Sequence, residues 1–192
     1  SDAFFNSIEE CQTVCPEEST TWHVSDAGSD ETGDGSAENP FATIQNGIDV
    51  ATDGDTVLVQ PGTYYGPIDF LSKNLVLGSL YLLEENESYI DGTIILNTDN
   101  DVSNFVNISS VQESELNGFT FQYIHLNLWD ASQAIIHVKD ASPAIINNRF
   151  KDFYLFSNME SSVIYCENSS SLIMNNEFMN GSVGNGYVLG GN

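Results

Sequence analysis

Side chains able to do acid–base chemistry are unevenly supplied in this chain. Its 192 residues hold 28 acidic groups and 4 basic ones, a formal net charge of −24. Any reaction needing a basic group must draw on a short roster, and most of it falls in one stretch: His137, Lys139, Arg149 and Lys151. Such groups serve as general bases or neutralise a bound carboxylate. With that stretch extended, Arg149 and Lys151 share one outward face, with Asp152 next in sequence, and His137 lies on a neighbouring face. Arg149, Lys151 and His137 are thus the candidate catalytic residues. Hydrolysis by a pair of carboxylates needs two acids about 5–10 Å apart. With 28 acids available, chance supplies such pairs, so they carry no specificity.

Three further constellations could bind rather than react. The loop "SDAGSDETGDGS" (25–36) offers Asp26, Asp30 and Asp34 to Ca²⁺, a hard cation that takes carboxylate and carbonyl oxygens. It departs from a calcium-binding EF-hand loop, because position twelve counted from Asp30 is Phe41 instead of Glu. In "YIHLNLW" (123–129), Tyr123, His125, Asn127 and Trp129 share one parity if the stretch is a strand. Tyr123, His125 and Trp129 are therefore the expected carbohydrate contacts, an aromatic platform on which a sugar ring can stack. Cys11 and Cys15 stand four apart and can close a small local disulfide; a zinc site lacks the further ligands it would need. Cys166 reads as a small buried hydrophobe, and His23, beside Trp22, as part of a first strand. N-x-Ser sequons occur at Asn86, Asn107, Asn168 and Asn180.

The elements that must carry these groups are set by a repeat. "SPAIINNRFKDF" (142–153) returns as "SSLIMNNEFMNG" (170–181), and "QAIIHVKDASP" (133–143) falls on "SSVIYCENSSS" (161–171) at the same offset of 28 residues. Apolar residues alternate within the unit, with Ser, Asn, Asp and Gly at the joints, which is the pattern of strands and turns. Strands recurring at this interval stack into a parallel β-solenoid, in which like positions lie about 4.8 Å apart. Each alignment column then becomes a ladder. Phe121, Phe150 and Phe178 form an inward aromatic stack, Asn148 and Asn176 an inward asparagine ladder, and His137 lies over Tyr165. Arg149 meets Glu177 and Lys139 meets Glu167 on the outside. "DTVLV" (55–59), "KNLVLGS" (73–79), "IDGTIIL" (90–96) and "NFVNIS" (104–109) read as strands of earlier coils, about five in all.

The N-terminal third carries a denser signature: Gly28-Ser29-Asp30, Pro40-Phe41-Ala42-Thr43-Ile44, Gly54-Asp55-Thr56-Val57 and Pro61-Gly62-Thr63-Tyr64. Together with the later "GFTF", "NNRF" and "NNEF" coils, these residues resemble secreted bacterial proteins of the pectin-lyase-like superfamily over most of 22–192. The resemblance implies an all-β, right-handed parallel β-helix with a short N-terminal capping helix. Asn39 is expected to cap that helix, Pro40 to open it, and Phe41, Ile44, Ile48 and Ala51 to form its apolar stripe. Three segments follow: 1–21 as an extension, 22–54 as strand, loop and cap, and 55–192 as the solenoid, continuing in a longer chain or open at its C-terminal end. The superfamily includes polysaccharide lyases and hydrolases. Lyase chemistry on a polyuronate would call on Arg149, Lys151, His137 or Lys139, but none of the superfamily's catalytic residues can be matched by motif here.

The acidic surface disfavours nucleic acid and anionic membranes as partners, and no run of 18 apolar residues exists to span a bilayer. The expected setting is extracellular, secreted or at a cell surface, with a polysaccharide or cell-surface component as partner and Ca²⁺ as the cofactor the charge would admit. Three functions compete: a structural or adhesive module that binds carbohydrate, a polysaccharide lyase or hydrolase, and a building block that stacks end to end.

Overall fold

The computed structural model describes residues 19–97, 104–128, 133–157, 161–183 and 187–191. Cys11, Cys15, Trp129 and the side chain of His125 lie outside the described residues. The chain winds through parallel sheets whose neighbouring strands belong to successive coils, giving a parallel β-helix. The first sheet holds β1 (Thr21–Val24), β2 (Thr56–Val59), β5 (Val76–Ser79), β8 (Glu115–Asn117), β12 (Ala144–Ile146) and β16 (Leu172–Met174). The second holds β3 (Gly62–Tyr65), β6 (Thr93–Leu96), β9 (Thr120–Gln122), β13 (Arg149–Lys151) and β17 (Glu177–Met179). The third holds β4 (Ile68–Asp69), β7 (Asn104–Ser109), β11 (Gln133–Lys139), β15 (Ser161–Glu167) and β19 (Tyr187–Gly191). A small fourth sheet, β10 (His125–Leu128), β14 (Tyr154–Ser157) and β18 (Ser182–Val183), lines the later coils. From β2 to β16 the chain completes four turns and begins a fifth, in line with the expected five.

The alignment columns are ladders in three dimensions. Phe121 pairs with Phe150 and Phe150 with Phe178 in register, their rings stacked at 5.1 and 5.0 Å with planes 11° and 9° apart. Asn148 is fully buried beneath them and leaves no polar atom idle. Its Oδ1 accepts from Phe119 N at 3.0 Å, and its Nδ2 donates to Leu116 O at 3.0 Å and to Asn176 Oδ1 at 3.1 Å. Asn176 Nδ2 donates in turn to Ile145 O at 2.7 Å. The amides thus replace the interstrand bonds that the backbone loses where it turns the corner.

The corners of the later coils also carry a left-handed residue, which the sequence supplies at the same place in three successive coils. Gly118, Asn147 and Asn175 form one column, at φ 84°, 56° and 56°. Ser110, Asp140 and Asn168 form a second, at 58°, 50° and 51°. Tyr123, Asp152 and Asn180 form a third, at 54°, 52° and 53°. Gly, Asn and Asp tolerate this region; for a bulky tyrosine it is strained.

Among the described residues three short helices accompany the coil. The first, α1 (Ile44–Val50), buries Ile44 and Ile48 against the N-terminal end of the solenoid, with Phe41 and Ala51 completing the stripe. It begins four residues later than the cap at Asn39 and first turn at Pro40 predict. Phe41 is held extended by a bridge to Val24, and Thr43 is the cap, its hydroxyl accepting from Asn46 N. Asp30 holds Thr43 in place through Ala42 N, Thr43 N and the Thr43 hydroxyl at 2.7–3.0 Å. The other two, α2 (Tyr81–Glu84) and α3 (Ser88–Gly92), occupy a stretch of which residues 90–92 were expected to be strand. At this joint residues 80–92 stand where the other coils have two residues.

Asp55 ties the cap to the coil. Its buried carboxylate accepts from Thr20 N, Trp22 Nε1, Thr52 N and the Thr52 hydroxyl at 2.7–3.1 Å. Burial alone would raise its pKa, but these four donors outweigh it and hold the group below the usual carboxylate value. A depressed folded-state pKa means stability that is present above the unfolded pKa of about 3.9 and lost as pH falls through the folded value. Asp55→Asn should therefore destabilise by roughly 1–3 kcal/mol at pH 7, and the gap from wild type should close below about pH 4 in urea melts. In the same melts Phe150→Ala should cost about 3–5 kcal/mol. Asn148→Ala should cost about 2–4 kcal/mol, because it strands Phe119 N and Leu116 O in the core.

Candidate functional site

The basic residues proposed for catalysis do not converge. Arg149 and Lys151 lie on β13, in the second sheet, whereas His137 and Lys139 lie on β11, in the third. The residues between Ser79 and Thr93 explain what the first pair does. This insertion crosses the outer face of the second sheet, where Ile90 O accepts from the buried Thr120 hydroxyl at 2.7 Å, and carries acidic groups to β13. Arg149 meets Glu87 at 2.7 Å, Asp91 at 2.9 Å and, from the next coil, Glu177 at 2.9 Å. Lys151 Nζ reaches Asp91 at 2.6 Å. Burial would lower the Arg149 pKa, yet its hydrogen bonds to Glu87 and Glu177 carry it above its ordinary value. The bond from Lys151, with help from Arg149, holds the Asp91 carboxyl low. The pairing of Arg149 with Glu177 was legible from the repeat; Glu87 and Asp91 were not, because the insertion has no counterpart in another coil.

His137 is half-buried and lies over Tyr165, ring centroids 5.7 Å apart. Asn104 Nδ2 donates to its Nδ1 at 3.2 Å, which leaves the proton of the neutral ring on Nε2, 3.9 Å from Glu167. Burial lowers its pKa, and the attraction of Glu167 does not compensate, so the ring is neutral at pH 7. Lys139 pairs with the same Glu167 at 3.3 Å. The remaining basic residue, Lys73, closes the end of α1 by donating to Ile48 O at 2.8 Å and Asp49 O at 2.9 Å. All four lysine and arginine side chains are thus bound by groups of the chain itself.

Asp26, Asp30 and Asp34 are spread over separate hydrogen-bonding tasks. Asp26 accepts from Thr63 N at 3.2 Å, Asp30 holds the start of α1, and Asp34 accepts from Ser36 N at 2.9 Å. Among the described residues no three His, Cys, Asp or Glu side chains gather as a metal group.

The expected aromatic platform is rearranged. Tyr123 does not share a strand with His125. It occupies the left-handed corner before β10, and Ile124 turns into the core. The phenol stands out from the surface, 57% exposed. Tyr154, which pairs in register with His125 one coil later, is 47% exposed and joins it. Tyr123, Phe153 and Tyr154 line a shallow groove of about 540 Å³ with Asp152, Asn180 and Ser182. The exposed rings of Tyr123 and Tyr154, with the buried Phe153 beneath and hydrogen-bonding groups at the rim, form a surface suited to a sugar ring. Tyr154 was missed because sequence alternation gave no reason to connect two tyrosines 31 residues apart across a corner.

Arg149→Ala should leave three carboxylates facing one another without their shared cation. We expect a loss of about 1–3 kcal/mol at low salt, smaller in about 0.5 M salt as the repulsion is screened. Chemical denaturation at the two ionic strengths reads this directly, and an unchanged midpoint would remove the cluster from the list of stabilising contacts.

No family model matches this sequence, and no curated protein matches it either. Among solved structures, a rhamnogalacturonan lyase superposes with a TM-score of 0.56 over 88% of this chain, at 15% sequence identity. The chain spans 53% of the length of that protein. At this identity the likeness establishes a common fold alone, the parallel β-helix that the sheet topology also shows.

Proposed function

We propose that this protein is an extracellular or cell-surface solenoid that binds a carbohydrate chain in the groove of Tyr123, Phe153 and Tyr154, and that it binds without cleaving. The observation that carries this reading is Tyr123. At a corner where the next two coils place Asp152 and Asn180, residues suited to positive φ, this coil places an exposed tyrosine at φ 54°. A strained aromatic that adds nothing to the core is explained if its ring meets a ligand. The acidic surface and the absence, among the described residues, of a helix able to cross a membrane support the extracellular setting.

Cleavage is the second reading, favoured by the fold shared with a rhamnogalacturonan lyase. Against it stands the state of the basic residues. Arg149 is divided among three carboxylates, Lys151 and Lys139 are paired, and His137 lies half-buried in a different sheet from Arg149 and Lys151. Self-association is a third reading, supported by the exposed Val188 and Leu189 of β19.

Titration calorimetry against a panel of soluble oligosaccharides tests the first reading. Tyr123→Asn should weaken binding about tenfold or more, the equivalent of about 1.4 kcal/mol. The same substitution should raise stability by about 1 kcal/mol, because asparagine relieves the left-handed strain. Loss of affinity with gain of stability is the signature expected of a residue kept for binding. Affinity untouched by both Tyr123→Asn and Tyr154→Ala would move the site elsewhere, and release of new reducing ends would replace binding by catalysis.

A further inference from the structure

The groove carries a charge as well as a shape. Among the described lining residues Asp152 is the one carboxylate, and none of them is a lysine or arginine. Asp152 Oδ2 accepts from Gln122 Nε2 at 3.0 Å, so the carboxylate is held in place by a neutral partner that leaves its charge intact. The nearest cation in sequence, Lys151, is committed to Asp91 at 2.6 Å, and the other three are bound as described. The surrounding surface adds the field of a chain with net charge −24.

Resting on the reading of this groove as a glycan site, we propose that it takes amino sugars: hexose units with a free, protonated amino group, the ammonium directed at Asp152. Two attractions then act at once on the same ring. The carboxylate accepts a charge-assisted hydrogen bond from the ammonium, and the faces of Tyr123 and Tyr154 attract its positive charge through their quadrupoles. A uronic acid in the same place brings its carboxylate to Asp152 with no lysine or arginine among the described lining residues to separate them, within about 10 Å and therefore poorly screened. A neutral sugar keeps the stacking and loses the charge term. The expected order of affinity is amino sugar, then neutral sugar, then uronate.

A polyanion attracts any cationic polymer, so the test uses short ligands and a charge-matched control. Glucosamine trimer, its fully N-acetylated counterpart and galacturonate trimer are titrated at about pH 6, below the usual range of an amino group. Asp152→Asn removes the charge while keeping a residue suited to the left-handed corner, as Asn180 shows one coil later at φ 53°. Glu31→Gln removes the same charge from the exposed loop before the cap. Glucosamine trimer should lose roughly tenfold in affinity with Asp152→Asn, the acetylated trimer less than about twofold, and Glu31→Gln should change neither.

Raising salt from about 10 mM to about 0.3 M should weaken the glucosamine trimer selectively. Equal losses from the two substitutions would reduce the effect to bulk charge and overturn the proposal. So would a galacturonate trimer that binds as well as the glucosamine trimer, or a glucosamine trimer no better than its acetylated form; in each case the glycan groove itself would stand. If none of the three binds, and none of the wider oligosaccharide panel does, the glycan reading fails and the proposal with it.

Discussion

Everything in this molecule depends on coils meeting in register. A parallel solenoid has no local pairing to fall back on: the strands of β13 find partners only in β9 and β17, 28 or 29 residues away in sequence. A slip of one residue would turn Phe150 outward and Arg149 into the core. The register is held by columns of identical function. Phenylalanine rings stack at about the strand spacing, and buried asparagines bridge carbonyls the turning backbone leaves open. Left-handed residues bend the later coils at the same three corners. The backbone bond from Tyr123 N to Lys151 O, and that from Asp152 N to Met179 O, show the ladder continuing through a corner rather than stopping at it.

The same constraint decides where charge can go. Stacking at about 4.8 Å sets like residues of successive coils side by side, so a chain with 28 acids risks columns of carboxylates. Its four cations are placed where they serve best. Arg149 is shared by three acids from two separate segments, Glu167 is opposed by Lys139, and Lys73 satisfies the end of α1. The insertion carrying Glu87 and Asp91 is fastened across the second sheet by two of the four. All four cations are thus engaged by groups of the chain itself.

The fold was legible wherever the repeat was intact. The offset of 28 residues alone places Phe150 on Phe178, Asn148 on Asn176, His137 over Tyr165 and Arg149 beside Glu177, and each pairing is found. Legibility ended where periodicity did. Residues 80–92 have no counterpart to align with, so the strand expected from Ile90 begins only at Thr93, and the two short helices and their acids were invisible. The start of α1 was misplaced for a different reason. Asn39 and Pro40 satisfy the local rules for opening a helix, but a bridge between Phe41 and Val24 and the reach of Asp30 to Thr43 are tertiary, and they prevail. Asp55 reads in sequence as a turn residue; its four donors come from β1, the segment before it and the end of the cap.

The site illustrates why corners, more than strand faces, are where such a fold can accommodate a binding residue. A side chain in a strand belongs to a column, and replacing it disturbs the rungs above and below. Some corner side chains are rungs too, as where Asn175 donates to Asn147 and Asn168 to Asp140, but the exposed ring of Tyr123 stands outside the core and its corner needs the backbone angle. Reading alternation straight through 123–129 put Tyr123, His125 and Trp129 on one strand face. The left-handed turn at Tyr123 instead separates it from β10 and brings it together with Tyr154 of the following coil. The local cost is confined to one residue in an unfavourable conformation, while Ile124 beside it remains fully buried and the ladder runs on. Asp152 occupies the same corner position one coil later, where it meets the backbone requirement and supplies the groove's charge with the same side chain. On the proposed reading, recognition is built on corner positions, and the column that bends the chain is also the column that would face the ligand.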